Sequence, residues 1–190
     1  MHCKSEWRAQ YVRDAIIQRL AQCGLEVHPD KTRIVYCKDE LRRATYANER
    51  FDFLGYTFHP RLSKSRAGKH FVNFSPAVSD DALKAMSREL WSWRLNCRSD
   101  KSLIDLARMF NKTVQGWINY YGRFYRSKLY PLFRRMNEYL VRRAKRKYKR
   151  LYGHTRRAKR WLARVARREP QLFAHWRLGV RPDGWTMGAA

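Results

Sequence analysis

Ser102-Leu-Ile-Asp-Leu-Ala-Arg-Met-Phe-Asn-Lys-Thr-Val-Gln-Gly-Trp-Ile-Asn-Tyr-Tyr-Gly122 decides how the second half of this chain is built. Ser102 with Asp105 three residues later fits a capping box, in which hydroxyl and carboxylate exchange hydrogen bonds with backbone amides at a helix start. Leu103, Leu106, Ala107, Phe110, Val114, Trp117, Ile118 and Tyr121 then recur at steps of one, three and four, which gives a helix one apolar face. Gly122 closes it. The spacing predicts a helix over 103–121.

Working outward, Ser79-Asp80-Asp81 opens an earlier helix: a hydroxyl cap, then two acids that favour the positive end of the helix dipole. Its apolar stripe is Leu83, Met86, Leu90 and Trp93. On the other side, Leu129, Leu132, Phe133, Met136 and Leu140 mark a third helix, with Pro131 suited to its first turn. A fourth helix is expected over 156–167, ended by Pro170. The last fifteen residues hold Gly179, Pro182, Gly184 and Gly188 and read as irregular.

The first 78 residues have another character. A helix is expected over 5–23, capped by Ser5 and ended by Gly24. Residues 25–28 read as a short strand, Pro29-Asp30 as a turn, and 32–37 as a second strand with Ile34 and Tyr36 on one face. Residues 38–50 are charged and read as a loop. Residues 51–58 are aromatic-rich and strand-like, 59–69 read as a solvent-exposed connection, and 70–74 as a strand stopped by Pro76. The chain thus reads as α+β: a small α/β piece over 1–78, a mainly helical domain over 79–168 and an irregular tail over 169–190. There is no internal repeat.

With 44% hydrophobic residues the chain can pack a core, and its formal net charge is +26. Such a charge says little about fold but attracts polyanions. Nucleic acid is the first partner class and an acidic membrane surface the second. No long apolar run or signal segment supports a membrane association. Between 124 and 168 there are eighteen Lys or Arg and one acid, Glu138. The run from Arg142 to Arg150 is expected to charge nearly the whole circumference of its helix. Arg142/Arg146 and Arg143/Lys147 are like-charged i,i+4 pairs, which repel unless phosphates lie alongside. Tyr148, Tyr152 and Trp161 interleave with this charge. They suit base stacking, and equally a core. Cys3, Cys23, Cys37 and Cys97 have neither Cys-x-x-Cys nor zinc-finger spacing, so reduced thiols in a cytoplasmic protein are expected.

Three ordered segments carry a family likeness. Gly24-Leu-Glu-Val-His-Pro-Asp-Lys-Thr-Arg33 resembles the sixth conserved block of group II intron reverse transcriptases. Phe53-Leu-Gly-Tyr56 resembles the seventh block, the primer grip. Gly116-Trp-Ile-Asn-Tyr-Tyr-Gly122 resembles the signature of the maturase-specific region, called domain X or the thumb. The stretch from Lys128 to Arg135 and the basic helix after it fit the same region. His175-Trp176 and Gly184-Trp185 look like the short end of members lacking an endonuclease domain.

The resemblance implies a palm remnant followed by a thumb/maturase domain. It implies that Lys31 is an accessory general acid near a departing pyrophosphate. It implies nucleic-acid contacts from Leu54, Gly55 and Tyr56, where a glycine lets backbone approach a primer strand, and from Asn119 and Tyr120. Arg134, Arg135, Arg142, Arg143, Lys145, Arg146, Lys147, Lys149 and Arg150 are the candidate phosphate contacts. The partners implied are group II intron RNA, an RNA–DNA hybrid, and an N-terminal reverse-transcriptase fragment, with no membrane. Magnesium is expected only in the full-length enzyme, because the family's paired aspartates would precede Cys3-Lys4-Ser5 and the two-metal reaction needs such carboxylates. Asp80-Asp81 opens a helix and is no substitute. The chain alone is therefore expected to bind RNA and assist splicing without polymerising DNA. The alternatives are one half of a split polymerase completed in trans, and a generic basic RNA-binding protein. On the palm reading, Ile16, Ile34 and Phe53 are expected to lack packing partners.

Overall fold

Ser5 accepts a hydrogen bond from the Arg8 amide and starts the first helix, α1 (Glu6–Gln22). The computed structural model describes residues 2–42 and 44–182. A 3-10 turn (Pro29–Lys31) follows α1, then three strands, β1 (Phe51–Phe53), β2 (Tyr56–Lys64) and β3 (His70–Val78). The remaining helices are α2 (Asp80–Ser92), α3 (Leu103–Tyr121), α4 (Tyr130–Lys147) and α5 (Thr155–Arg168). The strand order is β1-β2-β3, antiparallel throughout, so the architecture is α+β.

The chain falls into two compact units. One takes the residues up to Phe51 and again Phe58–Ser75; the other takes Asp52–Thr57 and the chain from Pro76 onward.

In the first unit several expectations need correction. Residues 25–28 and 32–37 are not strands. Their alternating pattern suits a sheet, but a strand needs a ladder of partners. What forms instead is isolated bonding, such as Tyr36 N–H to the Asn48 carbonyl at 2.8 Å and Glu40 N–H to the Val72 carbonyl at 3.1 Å. Residues 59–64 are strand rather than exposed connection, because β2 runs on to Lys64. Pro60 is tolerated there because β1 is only three residues long and ends opposite the start of β2. Pro76 does not stop β3, which continues to Val78 as an edge strand, the place where a missing amide costs least. Aromatic stacking organises this unit: Phe51 lies on Phe58, with ring centroids 4.7 Å apart and planes 2° from parallel. None of its described residues is buried. Trp7 and Tyr11 are 71% and 65% exposed, and Ile16 is also exposed.

The second unit contains the core. Asp52–Thr57 is the tip of the β1/β2 hairpin. Its two turn residues, Leu54 and Gly55, both have positive φ, 49° and 76°, which is the type I′ geometry that matches strand twist. Ser79 caps α2 through the Ala82 amide, and the Ser102–Asp105 capping box forms in full. Two hydrogen bonds from Ser102 hold the Asp105 carboxyl below its usual range. Met86 and Leu90 of α2 with Trp93 just after it, Leu106, Phe110 and Val114 of α3, and Leu132, Phe133, Met136 and Leu140 of α4 are buried together. Burial of each such side chain is worth roughly 1.5–3 kcal/mol. Trp93 stacks between Phe110 and Trp117, at 4.4 and 5.4 Å.

The chain after α5 is irregular yet packed. Phe173, Ala174, Trp176 and Val180 are buried. Asn111 uses both ends of its amide here, donating to the Leu172 carbonyl and accepting from the Ala174 amide. Asn137 of α4 accepts from Trp176 Nε1 at 2.9 Å and from His175 Nε2 at 2.8 Å, and donates to the Val180 carbonyl. Because Asn137 presents its oxygen, His175 is a neutral imidazole protonated on Nε2, and full burial pushes its pKa down to about 3. Gly184, Trp185 and Gly188 lie outside the described residues.

Candidate nucleic-acid interface

The hairpin tip and the end of α3 meet, although they lie more than sixty residues apart in sequence. The Tyr56 hydroxyl donates to the Tyr120 carbonyl, one of the last four carbonyls that a helix leaves unpaired. The Tyr120 hydroxyl donates back to the Leu54 carbonyl at 3.0 Å. The Gly55 carbonyl accepts from the Ser79 amide at 2.8 Å. The Tyr56 ring sits 5.5, 5.6 and 5.8 Å from the rings of Tyr120, Tyr121 and Phe124. Burial, and then the neighbouring tyrosines, raise the Tyr56 and Tyr121 pKa values, so both phenols stay neutral donors. A Cβ on Gly55 would lie 2.8 Å from the Tyr121 hydroxyl. The close approach that this glycine permits is therefore to the protein's own tyrosine. Leu54 and Tyr120 remain 66% and 48% exposed beside it. Asn119 is also exposed, one position before this contact, and accepts from Gln115 at 2.8 Å. Lys31 belongs to the first unit and is exposed in its 3-10 turn.

The basic run divides into two sets. Arg143 is fully buried, which removes it from the candidate phosphate contacts. Its Nε donates to the Arg98 carbonyl at 2.9 Å and its Nη2 to the Lys101 carbonyl. Burial lowers its pKa, and Nη1 is left without a partner among the described residues. Lys147 donates to the same Lys101 carbonyl at 2.9 Å, and Arg146 to the Asn96 carbonyl at 3.2 Å. Arg143 thus fastens the loop between α2 and α3, while Arg146 reaches the same loop and stays exposed and Lys147 is half-buried beside it. The expectation of charge around the whole helix is corrected accordingly: backbone carbonyls meet one side. The helix also ends at Lys147, so Lys149 and Arg150 sit on a separate 3-10 turn (Lys149–Leu151). Lys145 donates to Thr155 at 2.9 Å.

The second set faces solvent: Arg134, Arg135, Arg142, Lys149 and Arg150, with the exposed Arg146 belonging to both. Arg142 lies 5.7 Å from the Tyr139 ring centroid. The candidate contacts named from sequence include none from α5, whose cations are as many as those of α4. In α5, Ala158, Leu162, Ala163, Val165 and Ala166 are buried, and seven of the other nine positions are Arg or Lys. The signal was available as seven cations without an acid in fourteen residues. An open concavity runs along this helix, lined by Tyr148, Arg150 and Leu151 together with Arg156, Arg160, Trp161 and Arg164.

Residues 83–161 match the family model of the group II intron, maturase-specific domain. That stretch runs from α2 into α5 and covers less than half of the 190-residue chain. It supports a maturase-type region here, and a maturase-related role in splicing. Gly116–Gly122 and the basic run of α4 lie inside it; the segments at 24–33 and 51–56 do not. No curated protein and no solved structure matches the chain.

Among the described residues, no group of three His, Cys, Asp or Glu side chains is placed to hold a metal ion. Asp80 pairs with Lys128 at 3.0 Å and Asp81 with Lys84 at 3.2 Å. Among the described residues, no helix is long and apolar enough to cross a membrane.

Proposed function

We propose that the helical unit binds the RNA of a group II intron and assists its splicing, and that the same surface accepts an RNA–DNA hybrid. The observation that carries this reading is the maturase-specific match over the very helices that concentrate the cations. Basic side chains on one solvent face release counterions when phosphates replace them, at about 0.7 of a log–log salt slope per contact for single strands and about 0.9 for duplex DNA. The proposal includes no phosphoryl transfer. A palm origin for residues 1–78 is part of the proposal, supported by the sequence likeness at 24–33 and 51–56.

The test is a titration of the chain against a group II intron RNA, with a scrambled RNA of equal length as competitor, at several salt concentrations. Tighter binding to the intron and a steep fall with salt are expected. Indifference between the two RNAs would leave only a general basic RNA-binding protein, and a flat salt dependence would remove the phosphate contacts.

A further inference from the structure

We infer that the concavity between the Lys149–Leu151 turn and α5 takes an unpaired RNA strand, its phosphates along α5 and one base against Tyr148. This rests on the RNA-binding reading above; it adds the location on the surface and the kind of strand.

The phosphate track follows from helix geometry. Arg156, Arg160, Arg164 and Arg167 are spaced by four, four and three residues, so they fall along one line of α5. All four border the concavity. A step of four residues advances about 6 Å, comparable with the distance between neighbouring phosphates along one strand. The buried face of the helix is opposite, at Ala158, Leu162 and Val165. Among the described residues Arg156, Arg160 and Arg164 form no ion pair. Like charges four residues apart destabilise a helix, and an apolar underside is what holds this one in place. A row of phosphates relieves that repulsion.

The aromatic component sets the strand class. Tyr148 is 38% exposed and borders the same concavity, with its ring 5.0 Å from that of Trp161 and tilted by 53°. Trp161 is partly buried against the core, so it backs Tyr148 and leaves Tyr148 as the outer ring. A base inside a duplex is already stacked on both sides and offers no free face. An unpaired base can stack on such a ring. Cations alone would serve either strand form; cations with an exposed aromatic in one trough favour the single strand.

The experiment measures fluorescence anisotropy of the full chain with a labelled single-stranded RNA of about ten nucleotides, a length within the usual range of single-strand sites. The same strand annealed to its complement is the second probe, and intron RNA the third. Variants are Tyr148→Ala, Tyr148→Phe and the triple Arg156→Gln/Arg160→Gln/Arg164→Gln, each checked by thermal melting. Tyr148→Ala is expected to lose about five-fold or more on the single strand, without a matching loss on the duplex, and Tyr148→Phe to restore it. The triple variant is expected to lower the single-strand salt slope by about two, from three contacts of about 0.7 each. Equal losses on both probes would overturn the strand class. An unchanged triple variant, with the parent chain still binding intron RNA steeply with salt, would overturn the location while leaving the RNA-binding reading intact. A parent chain that binds no RNA would fail that reading itself. Should Tyr148→Ala not fold, the triple variant and the comparison of the two probes decide.

Discussion

The Tyr120 hydroxyl donates to the Leu54 carbonyl at 3.0 Å, across 66 residues of sequence. One bond thus ties the turn of a hairpin to the last helical turn of α3, and the Tyr56 hydroxyl returns a second to the Tyr120 carbonyl. Two segments that read as separate binding motifs are one packed cluster.

The turn in that cluster gives two substitutions of opposite sign. Gly55→Ala places a methyl 2.8 Å from the Tyr121 hydroxyl at a φ of +76°, and should cost about 1–3 kcal/mol. Leu54 holds a positive φ of 49° with most of its side chain in water. Leu54→Asn, a residue that favours this turn, should stabilise by about 0.5–1 kcal/mol. Urea unfolding of both variants is the measurement. Similar midpoints for the two would refute the turn assignment.

Gly116 offers a contrast inside α3. Nothing lies within 4 Å of a Cβ built on it, and it sits in the helix interior. Gly116→Ala should raise stability by about 0.5–1 kcal/mol, the helix-propensity difference. A loss of stability would mean that the added methyl meets a neighbour, against the open space around Gly116.

Arg143 and Arg142 are adjacent in sequence and should behave as opposites. Arg143→Met strands the Arg98 carbonyl, leaves the Lys101 carbonyl to Lys147, and should destabilise by roughly 1–3 kcal/mol, with the salt slope of RNA binding unchanged. Arg142→Gln should leave the melting temperature alone and reduce that slope by about 0.7, one phosphate contact. Calorimetric melting combined with salt titration separates the two, and a reduced slope in Arg143→Met would contradict its burial.

His175 predicts a pH dependence. Its folded pKa, about 3, lies below the unfolded value near 6.5, so the unfolded chain binds the extra proton between those limits. The neutral form's contribution is complete above about pH 6.5 and is lost as pH falls toward 3, at about 1.4 kcal/mol per pH unit. Between about pH 6.5 and 5, before ordinary carboxylates titrate, unfolding free energy should fall with that slope. His175→Gln keeps a donor for Asn137 and should flatten the profile. A parent chain indifferent to pH in this window would show that His175 is not buried in solution.

The helical half was legible from sequence because its signals are local. Ser79, Ser102 and Asp105 announce helix starts, and the apolar spacing of α3 survives intact as its buried face. The first half was not, because a strand depends on partners far along the chain; residues 25–28 and 32–37 have the composition without the ladder, while Pro60 and Pro76 sit in strands at positions where no amide is needed. The candidate surface was half legible. A count of cations finds the basic region, but it cannot separate Arg143 from Arg142, since only the path of the Arg98–Lys101 backbone decides which guanidinium faces water. For the same reason α5 was undervalued: its cations look like more of the same run until its alanines and leucine are seen to anchor it.

Asn111 and Asn137 hold the segment around Trp176 against α3 and α4, and this sets an order of events during synthesis. The arginine-rich helices leave the ribosome before the residues that cover their greasy undersides exist. A nascent chain of this protein therefore passes through a stage in which apolar surface stands open beside a dense positive charge.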